Sequence, residues 1–223
     1  IVVGLILAWM GVAALHAQDF EHAFQQAQEA FELRSANAQQ SLKAYLADYP
    51  YTPYVDEVYT MQGILLTEQK QYKPAVQTMA KVDVKQLSRK MIPLYNFHMG
   101  YAYFQLGEES KALTYLQRLK KKDNPYALQA TYYVGCCYYN QREYGKALVE
   151  FLTLEQNGGY QQIAPYYIVQ IYYAQGEYDR VLERAEVLLA DYPKNDYNDE
   201  LHRIAGEIYY RDSVYEKAAS HLK

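Results

Sequence analysis

Cys136 and Cys137 are the two strongest nucleophiles in this 223-residue sequence, and they are adjacent. Vicinal thiols suggest redox or soft-metal chemistry. Neighbours on a helix point about 100° apart, so a disulfide between them would be strained, and their spacing suits no metal site. They read best as small side chains in a packed helix, with a redox role the lesser alternative. The five histidines, His16, His22, His98, His202 and His221, never fall at metal-ligand spacing on a shared helix face. Neither H-E-x-x-H nor G-x-S-x-G occurs. Asn157-Gly158-Gly159 lacks the lysine and Ser/Thr of a phosphate-cradling loop. The carboxylates are scattered on polar faces. These residues predict no enzyme, no metal and no cofactor in this segment, although a site assembled from distant parts of the chain stays open.

The residue in excess is tyrosine, at 27. A tyrosine buries a large ring and keeps a polar tip, which suits both helical seams and interfaces. The net charge of -4 argues against a nucleic-acid partner, which needs clustered positive charge. The one basic run, Arg118 with Lys120, Lys121 and Lys122, falls at the end of an expected helix, where cations suit the helix dipole.

The elements that would position these rings are short hairpins. Asn96 to Leu116, NFHMGYAYFQLGEESKALTYL, reads as two amphipathic helices around a tight turn. Met99, Gly100 and Tyr103 share one face of the first helix. Gly107 sits where that helix must stop, since glycine adopts the left-handed conformation without side-chain cost. Ala112, Leu113 and Leu116 give the second helix its apolar face. The pattern recurs at Gly135 with Tyr138, Ala147 and Phe151, at Val169 with Tyr172, Gly176 and Val181, and at Gly206 with Tyr209, Tyr215 and Ala218. It also occurs earlier, at Gly63 with Leu66, Tyr72, Ala75 and Met79. Gly63, Ala75, Gly100, Ala112, Gly135, Ala147, Gly206 and Ala218 are the expected packing positions, small enough for helix axes to approach. Val169 breaks the set, so its hairpin is expected to depart most in geometry.

A helix–turn–helix period near 34 residues with small residues at these offsets resembles the tetratricopeptide repeat, from about residue 19 to the end. The large aromatic often found early in the first helix is mostly missing, its places holding Tyr59, Asn96, Thr131, Pro165 and His202. The resemblance implies an all-α fold, a right-handed superhelical α-solenoid of antiparallel helix pairs. It also implies that fixed positions of each first helix line a groove. Those positions give two aromatic rows, Phe97, Tyr132, Tyr166 and Phe104, Tyr139, Tyr173, Tyr210, with Tyr101, Arg203 and Arg211 beside them. The expected partner is an extended or helical segment of another protein; the competing reading is that the rings fill seams between repeats. A chaperone-tail clamp would need Lys and Asn where Phe97 and Tyr101, then Tyr132 and Cys136, stand.

Ile1 to Leu15 is apolar throughout and is followed by His16, Ala17 and Gln18. This matches a secretory signal cut after Ala17; it is short of the ~20 residues of a membrane span, though a retained anchor is the alternative. Residues 18–50 read as a degenerate first hairpin, and 51–223 as a repeat array with starts near 56, 93, 128, 162 and 199. The last hairpin breaks off in its second helix, so the native chain is expected to continue or to be capped by a partner. Ala47-Asp48-Tyr49-Pro50 recurs as Ala190-Asp191-Tyr192-Pro193, with Tyr54, Asp56 and Glu57 matched by Tyr197, Asp199 and Glu200. This form looks like the repeats of the outer-membrane assembly lipoprotein and the Tol-system periplasmic factor. The resemblance implies an exported scaffold in the periplasm or at the outer membrane, without an integral span. The alternatives are a glycan-capture protein on the same helices, or the repeat portion of a larger enzyme or assembly factor.

Overall fold

The computed structural model describes residues 19–120 and 124–222, which are helical with no strand among them. The expected signal segment, 1–17, lies outside the described residues, as do Lys121 and Lys122 of the basic run. The chain divides into two compact units at Glu108. The first holds α1 (19–32), α2 (Ala38–Asp48), α3 (Val55–Glu68), α4 (Tyr72–Met79) and α5 (Met91–Gln105). From α2 onward each helix of this unit packs on the next, and α3 packs also on α5. The second holds α6 (Glu109–Leu116), α7 (Ala127–Asn140), α8 (Tyr144–Leu154), α9 (Ile163–Gln175), α10 (Tyr178–Asp191), α11 (Asn198–Arg211) and α12 (Tyr215–His221), again packed in sequence. Among the described residues no helix is long and apolar enough to cross a membrane.

The first helices end alike. Arg34, Lys70, Gly107, Arg142, Gly176 and Ser213 all have positive φ, between 51° and 76°. In each case the following amide donates to a carbonyl five residues back, as in Ser35 N to Ala30 O, Gln71 N to Leu66 O, Glu108 N to Tyr103 O and Glu143 N to Tyr138 O. That is the closing bond of the Schellman motif, which satisfies a carbonyl the helix end would leave orphaned. Only two of the six are glycine. A left-handed side-chain-bearing residue costs roughly 1–2 kcal/mol, partly offset by its smaller loss of chain entropy. Lys70→Gly and Arg142→Gly should therefore each raise stability by about 0.5 kcal/mol in urea unfolding, whereas Gly176→Ala should lower it by ~1 kcal/mol.

Packing within a hairpin pairs small with large at one offset. A Cβ on Gly63 would lie 2.2 Å from Met79 Cγ, one on Gly135 3.0 Å from Phe151 Cζ, and one on Gly206 2.6 Å from Leu222 Cγ. Each partner is sixteen residues on. Val169 does not loosen its hairpin. Its side chain is fully buried, α9 packs on α10, and the residue sixteen on is Ala185, also fully buried; the large and small members have exchanged helices. Ala75, Ala112, Ala147 and Ala218 are buried on the second helices, and Gly100 on α5.

Both ADYP segments stop their helix at the aspartate, and Tyr49 and Tyr192 adopt nearly the same backbone conformation (φ -131° and -130°, ψ 59° and 69°). The acidic pairs enter the first turns of α3 and α11, where carboxylates suit the positive helix end. In α3 they also tie down the linker to α5: Asp56 Oδ1 accepts from Asp83 N at 2.7 Å and Glu57 Oε1 from Ser88 N at 3.3 Å. That linker is a loop with one 3₁₀ turn, Val84–Gln86.

Candidate functional site

The expected groove residues all lie on first helices: Phe97, Tyr101 and Phe104 on α5 in the first unit, and Tyr132, Tyr139, Tyr166, Tyr173, Arg203, Tyr210 and Arg211 on α7, α9 and α11 in the second. On α5, Phe97 and Tyr101 lie parallel, their centroids 6.1 Å apart, and Tyr101 meets Tyr72 of α4 edge-on at 5.9 Å. Phe104 is half-buried.

In the second unit the first row is anchored in a ring cluster. Tyr132 touches Phe151, Tyr160 and Tyr167, with centroids 6.3, 5.7 and 6.1 Å away. Tyr167 stacks flat on buried Phe151 at 4.5 Å and meets Tyr139 edge-on at 5.4 Å. The Cys136 thiol lies beside the Tyr132 and Tyr167 phenols. Burial raises both phenols above the ordinary tyrosine range and pushes Cys136 up to about 11 and Cys137 to about 12, so both thiols stay protonated at neutral pH. Tyr166 stacks on Tyr197 at 4.3 Å, and Tyr197 sits where α11 begins. The first unit repeats this contact, Phe24 stacking on Tyr54 at 4.0 Å where α3 begins. These first-row rings are therefore platforms on which the next hairpin's leading tyrosine rests.

The second row is arranged differently. Tyr139, Tyr173 and Tyr210 each meet, edge to face, a tyrosine at the start of their own hairpin's second helix: Tyr144 at 5.8 Å, Tyr178 at 6.0 Å and Tyr215 at 5.6 Å. Tyr210 and Tyr215 are 64% and 60% exposed. The Tyr173 hydroxyl donates to Glu207 Oε2 at 2.9 Å, and that bond, ahead of burial, raises its pKa. Arg203 donates to both Glu200 oxygens, at 2.8 and 2.7 Å, and to Glu207 at 2.5 Å. The Glu200 carboxyl is held below the usual carboxylate range by these bonds from Arg203. Arg211 lies 3.7 Å over the Tyr178 ring and pairs with Asp212 at 2.9 Å.

Sequence reasoning missed the partner rings Tyr144, Tyr160, Tyr167 and Tyr178. A signal existed, since Tyr54, Tyr126, Tyr160 and Tyr197 recur just ahead of four of the first helices, and Tyr72, Tyr144, Tyr178 and Tyr215 open second helices. It also missed a histidine contact between helices, His202 Nδ1 lying 2.9 Å from His221 Nδ1. Among the described residues no group of three His, Cys, Asp or Glu side chains could hold a metal ion.

Residues 96–123 match the tetratricopeptide repeat family model. No curated protein matches the chain. In structure the chain is similar to a tetratricopeptide repeat protein from Parabacteroides merdae (20% identity over 92% of this chain and 77% of that one, TM-score 0.64). It is similar also to MamA of strain AMB-1 (18%, 77% and 90%, TM-score 0.63) and to MamA of strain MSR-1 (18%, 76% and 93%, TM-score 0.60). The fold is thus the all-α, tetratricopeptide-like solenoid that the repeat period implied.

Proposed function

We propose that the protein is a non-catalytic, exported scaffold of the bacterial cell envelope, and that the first-helix face of its second unit receives a segment of another polypeptide. The observation that carries this reading is the recurrence of the Tyr139–Tyr144, Tyr173–Tyr178 and Tyr210–Tyr215 pairs, one per hairpin, half-buried in the first two pairs and exposed in the third. Aromatic anchors of this kind dominate binding energy at interfaces. Export rests on the apolar start and Ala17, and envelope residence on the ADYP form.

A photo-crosslinker at position 210 should capture a polypeptide in the native cell, and one at exposed Val149 on α8 should not. Tyr173→Ala with Tyr210→Ala should weaken capture about tenfold or more, the loss of two interface anchors, with helical circular dichroism unchanged. Equal capture from both positions, or a glycan in place of a polypeptide, would overturn the reading.

A further inference from the structure

Asparagine is a chemically labile side chain, and at one place in this chain it stands ahead of glycine. Asn157-Gly158 lies in the loop between α8 and α9, whereas the other asparagines precede Ala38, Phe97, Pro125, Gln141, Asp196 and Asp199. Gly158 is exposed, and its amide makes no hydrogen bond to any described residue. Nor does the fold require a glycine there. Its φ lies outside the left-handed region, unlike that of Gly159 at 89°, and a Cβ built on it would meet nothing within 4 Å. Asn157 itself is half-buried and closes α8: its N donates to Leu154 O at 2.8 Å and its Nδ2 to Thr153 O at 2.9 Å. Its carbonyl accepts from Tyr160 N at 3.1 Å, and Tyr160 is the ring that meets Tyr132.

We propose that Asn157 is a site of spontaneous covalent modification, deamidation through a cyclic imide, and that the product loosens the seat of Tyr160 on Tyr132. The Gly158 nitrogen gives its proton to solvent base and attacks Asn157 Cγ. The new N–Cγ bond closes a five-membered succinimide; the Cγ–Nδ2 bond breaks, and Nδ2 takes up a proton and leaves as ammonia. Water then adds to one of the two imide carbonyls and the ring opens, to aspartate at one and to isoaspartate at the other. The net exchange is one water consumed for one ammonia released, with no redox step. Glycine permits the attack because a Cβ on the attacking residue would crowd the approach of its nitrogen. The product undoes the end of α8. Thr153 O loses its donor, and a carboxylate stands at the helix end whose orphaned carbonyls already carry negative charge. In the isoaspartate form the main chain runs through Cβ, one carbon longer, ahead of Gly159 and Tyr160, which moves Tyr160 with respect to Tyr132. Either product is one charge more negative than the parent chain's -4.

The test holds the full chain in mildly alkaline buffer over days and maps its peptides by mass. The peptide carrying Asn157 should show the mass gain of amide to acid, and an isoaspartyl methyltransferase should label it. Conversion should quicken about tenfold per pH unit, as for a nucleophile far below its pKa. Gly158→Ala should slow it about tenfold or more, by crowding the attacking nitrogen, while leaving the fold intact. Converted chains separate on anion exchange by their added charge. In them amide exchange over residues 155–160 should rise about fivefold, the loss of one hydrogen bond at a helix end. Asn157→Asp, which carries the product carboxylate from the start, should show the same rise. An Asn157 that stays an amide while the free peptide of residues 155–160 converts in the same buffer overturns the proposal, as does equal conversion at Asn140. Conversion at Asn157 with no rise in exchange, in converted chains and in Asn157→Asp alike, overturns its second half, the loosening of Tyr160.

Discussion

Phe151→Ala should cost about 3–5 kcal/mol of stability, toward the upper end of that range for a buried aromatic. Phe151 has no exposed surface. It fills the space left by the missing side chain of Gly135, lies flat against Tyr167 and presents an edge to Tyr132. A cavity costs most where its walls cannot close. Here one wall is bare backbone, and two are rings held elsewhere, Tyr132 by Tyr160 and Tyr167 by Tyr139. The check is urea unfolding together with amide exchange in α7, α8 and α9, where protection should fall most. Phe151→Leu keeps most of the volume and should cost much less. Because Tyr167 braces Tyr139, partner capture should weaken in Phe151→Ala as well. A loss below ~1 kcal/mol would mean that the site collapses freely and that Phe151 does not pin this layer.

The same contact shows what could be read from sequence and what could not. Gly135 and Phe151 were legible because the repeat places a small residue and a large one at a constant offset. The period therefore carried the hairpins, their packing glycines and the stops at Gly107 and Gly176. Val169 looked like a defect because only the first helix was being compared; the compensation at Ala185 sits on the other helix. The turns at Arg34, Lys70, Arg142 and Ser213 carried no signal, because docking of the two helices imposes a left-handed residue whatever its type. The two aromatic rows were visible as rows, but their difference was not. Tyr132 and Tyr139 are the same residue on one helix. Tyr132 meets Tyr160 and Tyr139 meets Tyr144, and neither partner can be read from the ring's own position.

Acidification from pH 6.5 to pH 4 should remove about 3 kcal/mol of stability through His98 alone, measured by urea unfolding at several pH values. His98 lies on α5, largely buried, and its Nδ1 is fully buried without a hydrogen-bond partner. Burial pushes the imidazole down to about 4, and the Arg34 charge adds to the shift. The sign follows from proton binding. Below about 6.5 the unfolded chain protonates this ring while the folded chain does not, so protons favour the unfolded state. The stabilising share is whole above about pH 6.5 and is lost progressively as pH falls toward 4. Arg34 is fixed in place, with Nε 2.9 Å and Nη2 2.8 Å from the Glu68 carboxylate and its guanidinium 4.2 Å over Phe31, so it cannot swing away to relieve the repulsion. His98→Phe keeps a flat ring of similar size and removes the titration, so its stability should change less between pH 7.5 and 4.5. Its difference from the parent chain isolates this ring from His221, whose pKa burial also lowers. Parallel profiles for the two proteins would show that the folded state protonates His98 as readily as the unfolded one, with water or a neighbouring group accepting a hydrogen bond from the imidazolium, and that its pocket is not closed.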